Sequence, residues 1–206
     1  MTKPHLIIIC TFILSGCGSW KYNKSSDDVT FEIRSWNHDP IIKSVKSADA
    51  QSFEDLGDGF GKDGQRVYYK GKEIPSANPK TFQVIHRAYS GDDSSIFLFT
   101  CKLKDADPRS FQLLEGFWSK DSERVWHGHR LISANAGSFR YLSDSWAIDN
   151  FNAYHAVGWA SLGCNDTSGI PVKIFDSIDI ESFEVIDGFY AKDKNRSYGA
   201  LSAPNK

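Results

Sequence analysis

The stretch ADPRSFQLLEGFWSKDSERVWHGHRLI, residues 106–132, holds one complete structural unit. Asp107 suits a helix N-cap, because its carboxylate can accept a backbone N–H of the first turn. Pro108 then falls at the first helical position, where no donor is needed. Phe111 and Leu114 lie three apart and would share one face of a short helix. Gly116 ends that turn, and a strand is expected to begin near Trp118. Asp121 opens a tight turn by bonding the backbone two residues on. Val125-Trp126 gives a β-branched and aromatic return strand. Gly128 marks a second turn, and Arg130 to Ile132 a third short strand.

Outward from this unit, the same order of residues recurs. Phenylalanine stands at 53, 82, 111, 139 and 183, at intervals of 29, 29, 28 and 44 residues. Seven residues after each comes an aromatic: Phe60, Tyr89, Trp118, Trp146 and Tyr190. Three further on stands an aspartate, at 63, 92, 121, 149 and 193, and five beyond that another aromatic: Tyr68, Phe97, Trp126, Tyr154 and Tyr198. The capping position recurs as Asp49, Asn78, Asn135 and Asp179, and the Phe111/Leu114 pair as Phe53/Leu56, Phe82/Ile85, Phe139/Leu142 and Phe183/Ile186. A fixed period of about 29 residues means one supersecondary unit copied and stacked.

The expected fold is mainly β with short helical turns: five units over residues 45–206, each a helical turn plus a β-meander. A lone hairpin is marginal in water, so neighbours must cover each other's aromatic faces. The irregular fourth unit favours an open array over a closed ring. Val29-Thr30-Phe31-Glu32-Ile33 alternates as a strand, so residues 29–44 are expected to cap the first unit. Residues 17–28 read as a polar tether.

Three units place arginine three residues after the aspartate, as Asp63/Arg66, Asp121/Arg124 and Asp193/Arg196. These read as exposed ion pairs on hairpin turns, each worth about 0–1 kcal/mol.

Tyr190-Ala191-Lys192-Asp193-Lys194-Asn195, Val67-Tyr68-Tyr69-Lys70-Gly71-Lys72 and the Ala-Asp-Pro-x-Ser-Phe block of residues 106–111 resemble the DKNYY family of bacterial exported proteins. The likeness spans about residues 45 to 202. It departs in the second unit, which lacks the turn glycine, and in the fourth, which lacks the proline. The resemblance implies a repeat lipoprotein and carries over no catalytic residue.

Lys3, the apolar run Leu6 to Leu14 and then Leu14-Ser15-Gly16-Cys17 read as a secretory signal over residues 1–16. The run is too short for a permanent span, which needs about 20 apolar residues. Leu14 to Cys17 resemble the bacterial lipobox, so lipidation at Cys17 and a membrane anchor are expected. With glycine at 18, the outer membrane facing the periplasm is favoured if the cell is Gram-negative. Losing residues 1–16 removes Lys3 and no acid, which takes the formal charge from −2 to −3. That balance offers no footprint for nucleic acid. Cys101 and Cys164 then remain in an oxidising setting, either as a disulfide worth about 2–4 kcal/mol or as two buried thiols.

Chemistry-bearing patterns are sparse. His127 and His129 could share one face of a strand as metal ligands, but no third ligand follows in the pattern. Asp55, Asp58 and Asp63 lack the spacing and final glutamate of a calcium loop. Gly57 to Gly61 has no strand-then-helix context for phosphate, and no serine occupies a nucleophile elbow. No cofactor is expected. The period breaks between Tyr154 and Phe175, with an insertion at about 157–172, and insertions in repeat proteins often belong to the binding face. His155, Trp159, Asn165 and Asp166 are the candidate binding residues there. The expected function is a non-catalytic, envelope-anchored scaffold for a protein partner. The alternatives are an immunity protein against a cognate toxin, and a ligand-binding or enzymatic lipoprotein that uses the insertion.

Overall fold

The computed structural model describes residues 19–35, 37–156 and 172–199. Among these, every regular element is a strand, and the strands form six small antiparallel sheets in chain order. The first sheet is β1 (Ser19–Lys24), β2 (Val29–Ser35) and β3 (His38–Ser44). Each of the five repeats then contributes its own meander. The first is β4 (Glu54–Gly57), β5 (Phe60–Lys62), β6 (Val67–Tyr69) and β7 (Lys72–Glu73). The second is β8 (Gln83–His86), β9 (Tyr89–Gly91), β10 (Ile96–Leu98) and β11 (Cys101–Lys102). The third is β12 (Gln112–Leu113), β13 (Trp118–Lys120), β14 (Val125–His127) and β15 (Arg130–Ile132). The fourth is β16 (Arg140–Tyr141), β17 (Trp146–Ile148), β18 (Asn152–Ala156) and β19 (Val172–Asp176). The fifth has β20 (Glu184–Val185), β21 (Tyr190–Lys192) and β22 (Ser197–Gly199).

The expected helical turn is absent from the described residues of every repeat, and a first strand takes its place. Asp107 does behave as an N-cap would: its Oδ1 accepts the Arg109 N–H at 3.1 Å, and the Ser110 N–H reaches its carbonyl at 3.3 Å. The chain makes that single reverse turn and then pairs as β12 with β13. Helix nucleation fixes several residues for one hydrogen bond, whereas the residues after Phe111 gain ladder bonds at once. The paired aliphatic residues are therefore not core residues: Leu56 and Leu114 pack only partly buried against their clusters, and the other three turn outward. Phe53, Phe82 and Phe139 are buried, while Ile85, Leu142 and Ile186 are exposed.

Residues 19–24, expected to form part of the tether, are strand β1, paired along its length with β2. Tyr22 on β1 and Phe31 on β2 face each other and pack with Phe53 and Tyr68 of the first repeat. The first sheet thus packs over one side of that repeat.

The core is divided into small clusters, one at each junction of neighbouring units. A single aromatic arrangement builds each one. The leading phenylalanine of a repeat packs on the return-strand aromatic of its own repeat: Phe53 on Tyr68, Phe139 on Tyr154 and Phe183 on Tyr198, at ring distances of 5.5 to 5.9 Å. Its other side meets the second-strand aromatic of the preceding repeat. Those pairs are Phe60–Phe82, Tyr89–Phe111, Trp118–Phe139 and Trp146–Phe183, at 5.4 to 6.1 Å. Tyr22 of the first sheet supplies the same partner to Phe53, at 5.0 Å. Each contact is local to one junction, so the array is open and quasi-one-dimensional.

Candidate functional site

The repeated aspartates are buried, and their carboxylates are spent within the fold. Each Oδ1 accepts backbone N–H groups two or three residues on. Examples are Gln65 and Arg66 on Asp63, both at 2.7 Å, and Phe151 and Asn152 on Asp149, both at 2.8 Å. Each Oδ2 reaches fourteen residues back, to the N–H of the capping residue. The bonds are Asp49 to Asp63 at 3.0 Å, Asn78 to Asp92 at 2.8 Å, Asp107 to Asp121 at 3.1 Å, Asn135 to Asp149 at 2.9 Å and Asp179 to Asp193 at 2.9 Å. Where the return-strand aromatic is tyrosine, its hydroxyl also donates to Oδ2, as from Tyr68, Tyr154 and Tyr198.

A residue type that the sequence reading passed over completes this staple. Ser52, Thr81, Ser110, Ser138 and Ser182 each immediately precede the leading phenylalanine. Each hydroxyl accepts the N–H of the residue after the aspartate, at 3.0 to 3.3 Å. The signal was present: a hydroxyl residue before the phenylalanine in all five units.

Burial alone would raise the Asp63 and Asp149 carboxyls, but the donated N–H and tyrosine O–H bonds outweigh it and hold both below the usual aspartate value. Asp193 is lowered further by the same set of donors, with Tyr198 first among them. Four or so donors converging on one carboxylate leave it ionised, with little capacity for a ligand.

The remaining candidates divide. Arg124 lies 3.6 Å from Asp121, but that carboxylate is buried, so the pair is not the exposed one expected. Arg66 instead bonds the Ser47 carbonyl and approaches Glu73, and Arg196 bonds the Asp176 carbonyl and the Tyr198 hydroxyl. His127 ends β14, and His129 follows in the Gly128 turn, so the two do not share a strand face. His127 is buried against Trp118 at 4.6 Å, and that burial pushes its imidazole down to about 4. Asp55 caps its own turn through the Gly57 N–H at 2.9 Å. No group of three or more metal-ligating side chains occurs among the described residues.

His155 is fully buried and is therefore no part of a surface loop. It stacks on Trp146 at 4.1 Å, and its Nε2 lies 3.0 Å from the Gly188 carbonyl of the next repeat. Burial and the Lys173 ammonium hold its imidazole low, against the upward pull of the Gly188 carbonyl. Ala156 pairs directly with Val172, so residues 157–171 replace the two-residue loop found at Lys70-Gly71 in the first repeat. Trp159, Asn165 and Asp166 lie outside the described residues. So do Cys17 and Cys164, although Cys101 is disulfide-bonded.

Two open clefts cross repeat junctions. One of about 660 Å³ is lined by Lys80, Thr81, Asp93, Ile96, Pro108 and Arg109. Thr81 and Asp93 there are already bonded to each other at 2.9 Å. The other, of about 640 Å³, is lined by Glu115, Tyr141, Asp144 and Asp187, among others. The Tyr141 hydroxyl donates to Asp144 at 2.8 Å, and Asp187 caps its own turn.

A different feature stands out at the last repeat. The second-strand aromatic is 0% exposed at Phe60, Trp118 and Trp146, and 4% at Tyr89, because the next repeat covers it. Tyr190 occupies the same position and is 45% exposed, flanked by Phe189 at 61% and Ile186 at 57%. In the filled junctions with tyrosine, the hydroxyl also finds a carbonyl of the following unit: Tyr22 to Gly59 at 3.0 Å and Tyr89 to Phe117 at 3.3 Å. Among the described residues, the fifth repeat therefore leaves this aromatic partly uncovered.

The model of the DKNYY family matches residues 14–101, 42–158 and 89–202. No curated protein and no solved structure matches the chain. A match in three overlapping registers is what a tandem array produces, and it takes in the first sheet as well as the five repeats: the chain belongs to the DKNYY family.

Proposed function

We propose that this chain is a non-catalytic, envelope-anchored scaffold whose last repeat offers a protein-binding face. The observation that carries the reading is the exposed Tyr190, at the position that earlier repeats close with the phenylalanine of the next unit, with Phe189 and Ile186 exposed beside it. A protein partner that supplies an aromatic side chain and a main-chain acceptor would complete the junction with the aromatic contact used at all five junctions and the carbonyl acceptor used at the two that Tyr22 and Tyr89 fill. The anchoring half rests on Leu14-Ser15-Gly16-Cys17 after an apolar run, with outer-membrane attachment favoured if the cell is Gram-negative. A disulfide from Cys101 to Cys164 is part of the same exported reading. An immunity protein against a cognate toxin is a narrower form of this scaffold.

The test is a photocrosslinking residue at position 189 in cells that express the full chain. One dominant protein adduct is expected, and Tyr190→Glu should abolish it. Crosslinking no greater than from the exposed turn residue Asp93 would overturn the protein-binding reading. For the anchor, Cys17→Ser should abolish labelling by a clickable palmitate; labelling that persists would contradict it.

A further inference from the structure

We infer that the first sheet docks directly on the lipid surface, through an apolar row at the end of the sheet where the chain enters it. This rests on the lipid-anchor reading of Cys17 and adds to it a second, non-covalent membrane contact.

The register defines the row. Trp20 pairs with Ile33, and Ile33 with Ile41, across all three strands. Two residues further along, Tyr22, Phe31 and Lys43 form the next row on the same face, because side chains repeat every second residue. Tyr22 and Phe31 are buried under the first repeat. In the Trp20 row, Ile33 still packs partly buried against that cluster, while the two flanking residues overhang it: Trp20 is 43% exposed and Ile41 53%. Ile42, on the opposite face of β3, is 62% exposed. The Lys70 ammonium lies 3.9 Å from the Trp20 ring, which places positive charge at the edge of the row.

Chain length supplies the occupant. β1 begins at Ser19, two residues after Cys17. Two extended residues span about 7 Å, so a diacylglycerol on Cys17 holds this end of the sheet at the headgroups. In sequence, only Gly18 lies between Cys17 and the start of β1. An exposed tryptophan beside aliphatic side chains and a lysine is the composition that membrane interfaces favour. Anchoring on Cys17 also makes the contact effectively intramolecular, so a small apolar row suffices where it would not for a free protein.

The experiment uses the full lipidated chain reconstituted in vesicles of phosphatidylethanolamine and phosphatidylglycerol. An environment-sensitive fluorophore is placed at Ile41→Cys or, as the control, at Glu123→Cys in a distant turn. Flotation with the vesicles reports the anchor; fluorophore emission and quenching by headgroup-proximal doxyl lipids report docking. The inference expects a blue shift and loss of most emission from position 41, little change from 123, and relief of the quenching at 41 by Trp20→Ser. Flotation with equal quenching at 41 and 123 overturns the docking while leaving the anchor standing. Failure to float overturns the anchor, and the docking with it.

Discussion

The Tyr154 hydroxyl donates to Asp149 Oδ2 at 2.6 Å, while the same oxygen accepts the Asn135 N–H at 2.9 Å. One carboxylate oxygen thus ties the return strand of a repeat to the turn that opens it. Tyr154→Phe removes one of the donors without opening a cavity. The expected cost is about 1–3 kcal/mol, since a buried acceptor loses its partner, and it is read as a fall in melting temperature. Phe97 and Trp126 hold the equivalent place without a hydroxyl, so the variant should still fold.

Gly61 faces the leading phenylalanine of its own repeat. A Cβ there would lie 2.5 Å from Phe53 Cζ and 3.2 Å from the Tyr22 ring. Both rings are packed in the first junction, so neither can give easily. Gly61→Ala is expected to cost about 1–3 kcal/mol, the usual range for overpacking. Phe53→Leu in the same chain should recover part of that loss in a double-mutant cycle.

Position in the array should decide the effect of truncating an aromatic. Trp146→Ala empties a closed junction and should destabilise by about 3–5 kcal/mol. Tyr190→Ala, at the equivalent place in the open repeat, should cost under about 1 kcal/mol. Chemical denaturation of the two variants makes the comparison.

Acidification should weaken the array in two stages. His127 has a folded value near 4 because burial disfavours its charged form, against about 6.5 when unfolded. Its contribution is therefore fully present above pH 6.5 and is lost as pH falls towards 4. Asp63, Asp149 and Asp193 are lowered in the fold, so their contribution is present above the ordinary aspartate value and lost below it. Melting temperature against pH should show both stages, and His127→Phe should reduce the first, leaving the part due to His155, whose imidazole burial also holds low.

Much of this architecture was legible in the sequence, and the reasons for the exceptions are local. Asp121, Trp126 and Gly128 announced their turn and strands, because turn chemistry and β propensity act within a few residues. Asp107 and Pro108 were misleading. A side chain that caps a helix and one that closes a single reverse turn make the same bonds, and only the pairing of β12 with β13 decides between them. The fourteen-residue reach from Asp121 back to the Asp107 N–H is tertiary, and no local pattern implies it. Ser110 was visible five times over, but its role needs that reach to be known. His155 looked like a loop residue because the insertion follows it at once. Its alternate place on β18, opposite Trp146, puts it inside the junction.

The central claim is that the repeated aspartates are structural staples and not a ladder of ligand sites. Urea unfolding of Asp149→Ala tests it most directly. The staple account predicts a loss of about 3 kcal/mol or more, because the N–H groups of Asn135, Phe151 and Asn152 and the Tyr154 hydroxyl all lose their acceptor. A change within about 0.5 kcal/mol, or a gain in stability, would contradict it, since a carboxylate kept for a ligand adds nothing to the fold and is relieved by removal.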